Sequence, residues 1–391
     1  MRYADVTGAL QGLGGAKWEV HARSRALRAE GREIIELTIG EPDVPTPRAL
    51  VEAATHAMAE GRTGYSNGRG EPALVSALAN RYSRRRGRAI TPDQVMCFPG
   101  TQTTLYAVMR TLVGPGDEVL VGDPLYATYE GVIAASGART VPVPLRHNLG
   151  FRIDAADVAE RITPATRVIF LNTPHNPTGA VLTRAGIEAI CRLAVRHDLW
   201  ILCDEVYEEM VFEGTTFVSP LDLPAFADRV VVTSSISKSH AAPGFRSGWC
   251  VGPAEFCTRC LPLSETMLFG NQPFIADMTA LAVAAPSEVA PGMVARFSRR
   301  AALIRDRLDG VSGLSASRPE AGMFLLVDVR AVCASGEVFS RRLLDEKSVA
   351  VMPGESFGAA LQGWIRLSLT KPDDLILAAC DRIAELAGDM A

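Results

Sequence analysis

Short apolar runs alternate with helical patterns between about Tyr65 and Val251, and this alternation restricts the chain to few folds. Three runs are rich in large apolar residues and are typical of buried strands: 119–122, 168–171 and 199–203. Residues 105–112 instead have the apolar spacing of a helix. Strands separated by helices form βαβ units, and such units build a mostly parallel sheet. The sequence therefore predicts an α/β fold.

The pattern changes from about Pro286 onward. A long Arg-rich helical pattern is followed by a strand candidate at 323–329 and then by mixed structure. We expect this tail to form a smaller α+β domain, joined by the N-terminal segment. The predicted large domain is 46–285, and the predicted small domain combines 1–45 with 286–391. Clefts between two such domains commonly hold small ligands.

Polar side chains follow two of the apolar runs, at the edge where open α/β sheets bind ligands. Asp204 comes directly after 199–203, with Tyr207 three residues later, and Asn176 lies in a Pro- and Gly-rich turn after 168–171. A buried carboxylate needs a cationic partner, such as a protonated pyridine nitrogen. Taken singly, each has a plainer interpretation: a helix N-cap for Asp204, a packed aromatic for Tyr207 and a turn former for Asn176.

Small residues stand before the helical pattern 105–112. Gly100, Thr101 and Gln102 would leave the first backbone amides of that helix free for an anion, although an ordinary cap is the commoner use. Tyr126 follows the run 119–122, where its ring could stack on a flat cofactor or simply pack in the core.

Lys238 is flanked by hydroxyls and followed by a cation. Ser235 and Ser237 precede it, and Arg246 lies eight positions later. Lysine forms reversible imines with aldehydes, and hydroxyls with a guanidinium suit a phosphate dianion. Taken alone, the segment is better explained as a solvated loop, because most lysines in Ser-rich loops are simply solvated.

Together, in this order and spacing, these segments closely resemble the fold-type I pyridoxal-phosphate aminotransferases of classes I and II. The likeness covers nearly the whole chain, from 39–43 through Tyr65 to 364–368. It implies the fold of type I PLP-dependent transferases, with a large domain built on a mostly parallel seven-stranded sheet flanked by helices and a smaller α+β domain. It also implies pyridoxal 5'-phosphate as cofactor and a homodimer with shared active sites.

The resemblance implies a role for each motif residue. Lys238 would hold the cofactor as a Schiff base, Asp204 would pair with the ring nitrogen, and Tyr207 with Asn176 would bond the ring oxygen. Tyr126 would stack on the ring. The phosphate would be bound by Gly100, Thr101, Gln102, Ser235, Ser237 and Arg246, with Tyr65 reaching across from a second subunit. The substrate would contact Gly40, Asn176, Tyr126 and Arg366, whose guanidinium suits an α-carboxylate.

The expected reaction is ping-pong transamination between an L-amino acid and a 2-oxo acid. The prokaryotic aspartate aminotransferases of this subgroup carry lysine where this chain has Gln102. Four segments, 1–5, 174–176, 197–200 and 237–241, are more similar to arginine:pyruvate transaminases. L-arginine and pyruvate are therefore the expected substrates, with 5-guanidino-2-oxopentanoate and L-alanine as products. The alternatives are an aspartate or aromatic aminotransferase, a PLP-dependent β-lyase or oxidative arginine enzyme, and a non-catalytic sensor.

Composition limits the partners and the compartment. A net charge of −4 gives no general attraction to nucleic acid, and the cluster Arg81, Arg84, Arg85, Arg86 and Arg88 is predicted to be the solvated end of a helix. Eight unpaired cysteines, no signal core and no bilayer-length run predict a cytoplasmic protein that is not in a membrane. Cys257 and Cys260 have half-metal spacing without a second ligand pair, so no metal is expected.

Overall fold

Thirteen strands organise the fold in the computed structural model, which describes residues 1–13 and 15–391. They are β1 Ile35–Glu36, β2 Val95–Phe98, β3 Glu118–Asp123, β4 Arg139–Pro144, β5 Thr166–Asn172, β6 Trp200–Asp204, β7 Val230–Ser235, β8 Gly248–Val251, β9 Ser315–Ala316, β10 Phe324–Asp328, β11 Val349–Ala350, β12 Met352–Pro353 and β13 Trp364–Ser368.

The largest sheet has seven strands in the order β2-β8-β7-β6-β5-β3-β4. Strands β3 to β7 run parallel to one another, and only the pairings of β8 with β2 and β7 are antiparallel. The predicted α/β class, with a mostly parallel seven-stranded sheet, is confirmed. Because the strand order reverses between β3 and β5, the carboxyl ends of these strands border a crevice suited to a ligand.

Among the described residues, thirteen α-helices surround the sheets. They are α1 Asp5–Ala9, α2 Glu19–Ala29, α3 Arg48–Ala59, α4 Pro72–Arg86, α5 Thr101–Leu112, α6 Tyr129–Ser136, α7 Ala155–Ala159, α8 Arg184–Arg196, α9 Ala254–Met267, α10 Pro273–Ala284, α11 Ala290–Leu308, α12 Gly336–Lys347 and α13 Asp373–Met390. No helix among the described residues is long and apolar enough to cross a membrane.

Both faces of the seven-stranded sheet are covered, which explains why the middle of its central strands is apolar. In β5, Ile169 and Leu171 pack on the side of α4, α8 and α10, whereas Val168 and Phe170 pack on the side of α5, α6 and α9. Alternate residues of a strand point to opposite faces, so a strand buried on both faces is apolar at every position.

A second core lies in the C-terminal part of the chain. The antiparallel sheet β12-β13-β10-β9 packs against α11 and α13 through residues such as Phe297, Ile365 and Ile383, and β1 pairs with β11. This sheet supplies Arg366 on β13, opposite Leu326 on β10. The domain boundaries at residues 46 and 286 stay a prediction.

The expected solvated arginine cluster at the end of α4 is wrong for two of its members. Arg84 is exposed, but Arg81 and Arg86 have side chains only 5% exposed and are ion-paired to carboxylates of the segment after β6. The error has a physical reason, because a helical pattern of arginines does not reveal which acids another segment brings against it.

Cys257 and Cys260 are buried on α9, and no group of three or more potential metal ligands occurs in the described part of the chain.

Candidate active site

A cavity of about 240 Å³ lies at the carboxyl ends of the parallel strands. It collects twelve of the predicted site residues: Gly40, Thr101, Gln102, Tyr126, Asn176, Asp204, Tyr207, Ser235, Ser237, Lys238, Arg246 and Arg366. Gly100 lies directly behind this lining, and Tyr65 is outside it. Side chains from the large sheet and from β13 thus converge on one space, as the sequence motifs predicted.

Lys238 projects into the cavity from the loop after β7. Its Nζ donates a hydrogen bond to the carbonyl oxygen of Gly40 at 2.8 Å. Burial lowers the pKa of Lys238 to about 8, and the nearby Arg366 and Arg246 also lower it, while Glu41 opposes them. A lysine of this kind is neutral more often than a surface lysine, which makes it a better nucleophile and base.

Asp204 ends β6 and is buried at the floor of the cavity. Tyr129 donates its hydroxyl to Oδ2 at 2.8 Å, and the backbone amide of Val206 donates to Oδ1 at 3.1 Å. Burial raises the pKa of Asp204 to about 6, although both hydrogen bonds lower it. No cation pairs with this carboxylate among the described residues. A positively charged ring nitrogen would provide the missing partner.

Sequence reasoning did not assign Tyr129 to the site. It begins α6, three residues after Tyr126, and the two rings meet edge to face with centroids 5.5 Å apart. Its position shortly after a strand end could have indicated a place in the site. The sequence does not tell, however, whether Tyr126 or Tyr129 reaches Asp204. The structure gives that contact to Tyr129.

Two asparagines hold the turn after β5. Asn172, which the sequence analysis also missed, donates through Nδ2 to the carbonyl oxygen of Asp204 at 3.0 Å, and its Oδ1 accepts from the backbone amide of Asn176 at 2.9 Å. Asn176 and Tyr207 line the same cavity, and burial raises the pKa of the Tyr207 phenol. Tyr207 is therefore a neutral O–H donor inside the cavity.

The start of α5 forms a cradle for an anion. Gly100 has φ +85°, and a Cβ there would lie 2.4 Å from Nη2 of Arg246, so only glycine lets this guanidinium approach the helix end. Thr101, the first helical residue, has a buried Oγ1 without a hydrogen-bond partner. Ser235 and Ser237 are buried in the same lining. A dianion would satisfy the orphaned hydroxyl and the free amides together.

Arg366 is buried on the opposite wall. Its guanidinium carbon lies 3.8 Å from the ring centroid of Phe324 and 4.3 Å from that of Phe357. Nη2 donates to the carbonyl oxygen of Thr38 at 2.6 Å and Nη1 to Oδ1 of Asn176 at 3.0 Å. Burial lowers the pKa of Arg366 to about 9, which still leaves it cationic at neutral pH. The two phenylalanines were not predicted from the sequence.

No carboxylate pairs with Arg366 in the described residues, and its Nε is buried without a partner. Buried charges are normally compensated, so this guanidinium is prepared for an anion that comes from outside the chain. Asp204 is the single carboxylate in the described cavity lining.

Tyr65 is 95% exposed on the surface of this chain, and its ring meets Phe269 edge to face at 5.8 Å. It contributes nothing to the cavity of its own subunit.

Residues 32–383 match the family model described as aminotransferase class I and II. The chain belongs to the class I and II aminotransferases. It is 45% identical over 390 residues, covering 100% of this chain and 99% of the relative, to arginine–pyruvate transaminase AruH of Pseudomonas aeruginosa. It is 33% identical to aspartate/prephenate aminotransferase of Thermus thermophilus, covering 94% of this chain and 95% of that protein.

Solved aminotransferase structures agree over the whole chain. The aspartate aminotransferase of Rhizobium meliloti superposes with a TM-score of 0.94 at 27% identity, covering 100% of both chains. The Thermus thermophilus aspartate aminotransferase with maleate gives 0.92 at 31% identity, covering 99% of this chain and all of the other. The fold-type I architecture expected from the motifs is confirmed.

Aminotransferases of this family use pyridoxal 5'-phosphate, and the cavity fits that cofactor. The fit rests on three features: a lysine with a lowered pKa, a buried carboxylate without a cation, and a helix N-terminus with an orphaned hydroxyl. The lysine suits the aldehyde of the cofactor, the carboxylate suits its pyridine nitrogen, and the helix N-terminus suits its phosphate. The enzyme is thus a PLP-dependent aminotransferase, whose substrates are amino and 2-oxo acids.

Proposed function

We propose that this aminotransferase uses L-arginine as amino donor and pyruvate as acceptor, giving 5-guanidino-2-oxopentanoate and L-alanine. The observation that carries the choice of substrates is the 45% identity, over essentially the full length of both chains, to a protein named arginine–pyruvate transaminase. The curated aspartate aminotransferases are more distant, at 29–33% identity. The reaction class itself rests on the family and on the contents of the cavity.

Lys238 is the proposed catalytic base. When bound, pyridoxal 5'-phosphate supplies an aldehyde that links covalently to amines and a ring that accepts an electron pair. Lys238 would hold this aldehyde through its Nζ, and its neutral amine would remove the proton from the donor Cα. Its lowered pKa keeps a useful fraction neutral near pH 8, as a general base requires.

Asp204, Tyr207 and Asn176 are proposed to hold the ring. Asp204 keeps a proton on the ring nitrogen, and its hydrogen bonds from Tyr129 and Val206 favour the ionised carboxylate that this task needs. Tyr207 and Asn176 direct polar hydrogens toward the ring oxygen, and Tyr126 covers one face of the ring. The cradle at the start of α5, with Ser235, Ser237 and Arg246, holds the phosphate.

Arg366 and Gly40 are proposed to bind the substrate α-carboxylate. A guanidinium presents parallel N–H donors that match a carboxylate, and Arg366 has no competing carboxylate within the described part of the chain. Both substrates carry a carboxylate next to the reacting carbon. The same contact therefore orients the donor in one half-reaction and the acceptor in the other.

Trp18 is the proposed contact for the distal guanidinium. Its indole lines the same cavity as Lys238, and a cation over an indole face is attracted by the ring. Gln102, a neutral residue in the same lining, gives a distal carboxylate no cation to bind. Both features favour a cationic donor over aspartate.

A panel of donors with pyruvate or 2-oxoglutarate tests the assignment. We expect L-arginine with pyruvate to have the highest kcat/KM and to yield alanine in equal amount. If aspartate or an aromatic donor is used far better than arginine, the substrate assignment fails while the reaction class survives. Ammonia release without alanine would instead indicate a lyase or an oxidase.

We also propose a homodimer in which Tyr65 of one subunit reaches the phosphate of the other. The variants Lys238→Ala and Tyr65→Ala, each expected to lose activity by itself, test this, because a mixed dimer contains one site with both residues intact. Mixing them after reversible dissociation should restore activity. A mixture that stays as inactive as its parents would exclude a shared site.

The eight free thiols support a reducing compartment, and we propose the cytoplasm.

A further inference from the structure

The turn after β6 has two faces. Asp204 and Tyr207 point into the active-site cavity. Glu205, Glu208 and Glu209 lie in the same turn but point to the other side, toward α4. The residues that are proposed to hold the cofactor ring are therefore backed, within one turn, by three carboxylates that the reaction does not use.

Arg86 lies at the centre of this back face. Its Nη2 is 3.2 Å from Oε2 of Glu205 and 3.4 Å from Oε2 of Glu208, and its Nη1 is 3.1 Å from Oδ1 of Asp222. The guanidinium carbon also lies 5.6 Å from the ring centroid of Tyr82 and 5.9 Å from that of Phe217. One planar group thus joins three carboxylates and two rings from three parts of the chain.

Two further arginines complete the cluster. Arg85 contacts Glu208 at 2.9 Å, and Arg81 is paired with Glu209. Ser219 donates its hydroxyl to Oε1 of Glu205 at 2.5 Å. The side chains of Glu205 and Glu208 are 0% and 5% exposed, so water does not screen these pairs.

Glu205 is joined rigidly to the catalytic face. It follows Asp204 in the chain, and its backbone amide donates to the carbonyl oxygen of Thr233 at 2.9 Å. The next amide, that of Val206, donates to Oδ1 of Asp204. A shift of the Glu205 side chain toward a new partner would therefore move the amide that orients the Asp204 carboxylate.

We propose that Arg86 is a positioning residue for Asp204 and Tyr207, which it holds in place by fixing Glu205 and Glu208 on the reverse side of their turn. This inference rests on the proposed roles of Asp204 and Tyr207. A misplacement of about 1 Å in a catalytic group costs about 100-fold in rate, so a small rotation of this turn is enough to be measured.

Arg86→Gln tests the proposal, with Arg84→Gln as the matched control on the same helix. Both variants remove one positive charge, but Arg84 is exposed and its side chain donates only to the carbonyl oxygen of Ala284. In Arg86→Gln we expect hydrogen exchange in peptides covering 204–210 to become about tenfold faster or more, with or without cofactor. We expect kcat to fall by about 10- to 100-fold with KM for pyruvate changed much less.

Arg86→Lys should recover part of kcat, because it keeps the charge but not the planar fork. Ser219→Ala removes one hydrogen bond to Glu205 without changing charge, and should shift exchange and kcat in the same direction by less. Ser219→Ala takes over the test if Arg86→Gln does not fold.

The proposal is overturned if exchange at 204–210 in Arg86→Gln equals that of Arg84→Gln. It is overturned equally if exchange rises while kcat stays at the wild-type value, because the cluster then only stabilises the fold. The proposed function is tested separately, because it fails if the wild-type protein has no transaminase activity. In that case the hydrogen-exchange comparison would still decide whether Arg86 holds the turn.

Discussion

Replacement of Arg366 should abolish recognition of the α-carboxylate without damaging the fold. The guanidinium is buried between Phe324 and Phe357 and has no carboxylate partner in the described residues. Each charge-assisted hydrogen bond to a substrate contributes about 1.5–3 kcal/mol. Loss of one of two such bonds in Arg366→Lys should reduce kcat/KM by about 10- to 150-fold. Loss of both in Arg366→Met should reduce it by about 10²–10⁴-fold.

The two half-reactions provide an internal check. Because arginine and pyruvate would present their carboxylates to the same guanidinium, stopped-flow kcat/KM for each half-reaction should fall by a similar factor. Arg330→Lys is the matched control, since Arg330 also lies against a ring, that of Trp364 at 5.4 Å, but is exposed outside the cavity lining.

Stability gives a second and independent readout. Replacing even a buried ion pair by apolar side chains of similar size is often neutral or stabilising by about 1–4 kcal/mol, and a buried guanidinium without a carboxylate partner lacks the attraction that offsets its desolvation. Cofactor-free Arg366→Met should therefore melt at the wild-type temperature or above it. If Arg366→Met keeps kcat/KM within threefold of wild type, or if only one half-reaction is affected, Arg366 does not bind the shared carboxylate.

Two further predictions concern the floor of the cavity. Tyr129→Phe removes a hydrogen bond that lowers the pKa of Asp204. The acidic limb of the pH profile of kcat/KM should therefore move to higher pH, and kcat/KM should fall by about 5- to 30-fold. An acidic limb at the wild-type pH would show that Tyr129 does not act on this carboxylate. Burial raises the pKa of Asp204 in the folded, cofactor-free protein to about 6. The wild type therefore has its full stability below about pH 4, where Asp204 is protonated in both states, and loses part of it as pH rises through 6. Asp204→Asn has no such loss and should be the more stable protein above pH 6. Urea unfolding should show the wild type losing up to about 3 kcal/mol relative to Asp204→Asn between pH 4 and 7, whereas a constant difference across this range would contradict a raised pKa.

Much of the site follows from local sequence, because parallel strands bring their carboxyl ends to one edge. Asp204 and Asn176 each follow an apolar run, so the register of β5 beside β6, with Asn172 opposite Asp204, places both at the cavity. Gly100 and Thr101 at the start of α5 likewise allowed an anion site to be proposed from the sequence, although the order of residues alone fitted an ordinary helix cap as well.

Contacts between distant segments could not be predicted in this way. Tyr129 and Asn172 act through single hydrogen bonds to Asp204, and several polar residues near the strand ends would have been equally good candidates. The burial of Arg81 and Arg86 depends on how α4 packs against the turn after β6, which no local pattern records. Long-range packing, rather than local propensity, decides such cases.

Reductive trapping tests the central claim most directly. The chain has four lysines, Lys17, Lys238, Lys347 and Lys371, so a covalent label can be assigned to one of them without ambiguity. Borohydride treatment of the enzyme with pyridoxal 5'-phosphate, followed by peptide mass spectrometry, should place the reduced cofactor on the peptide that carries Lys238 and on no other. A label on one of the other three lysines, or no label on an active enzyme, would contradict the proposed chemistry of this site.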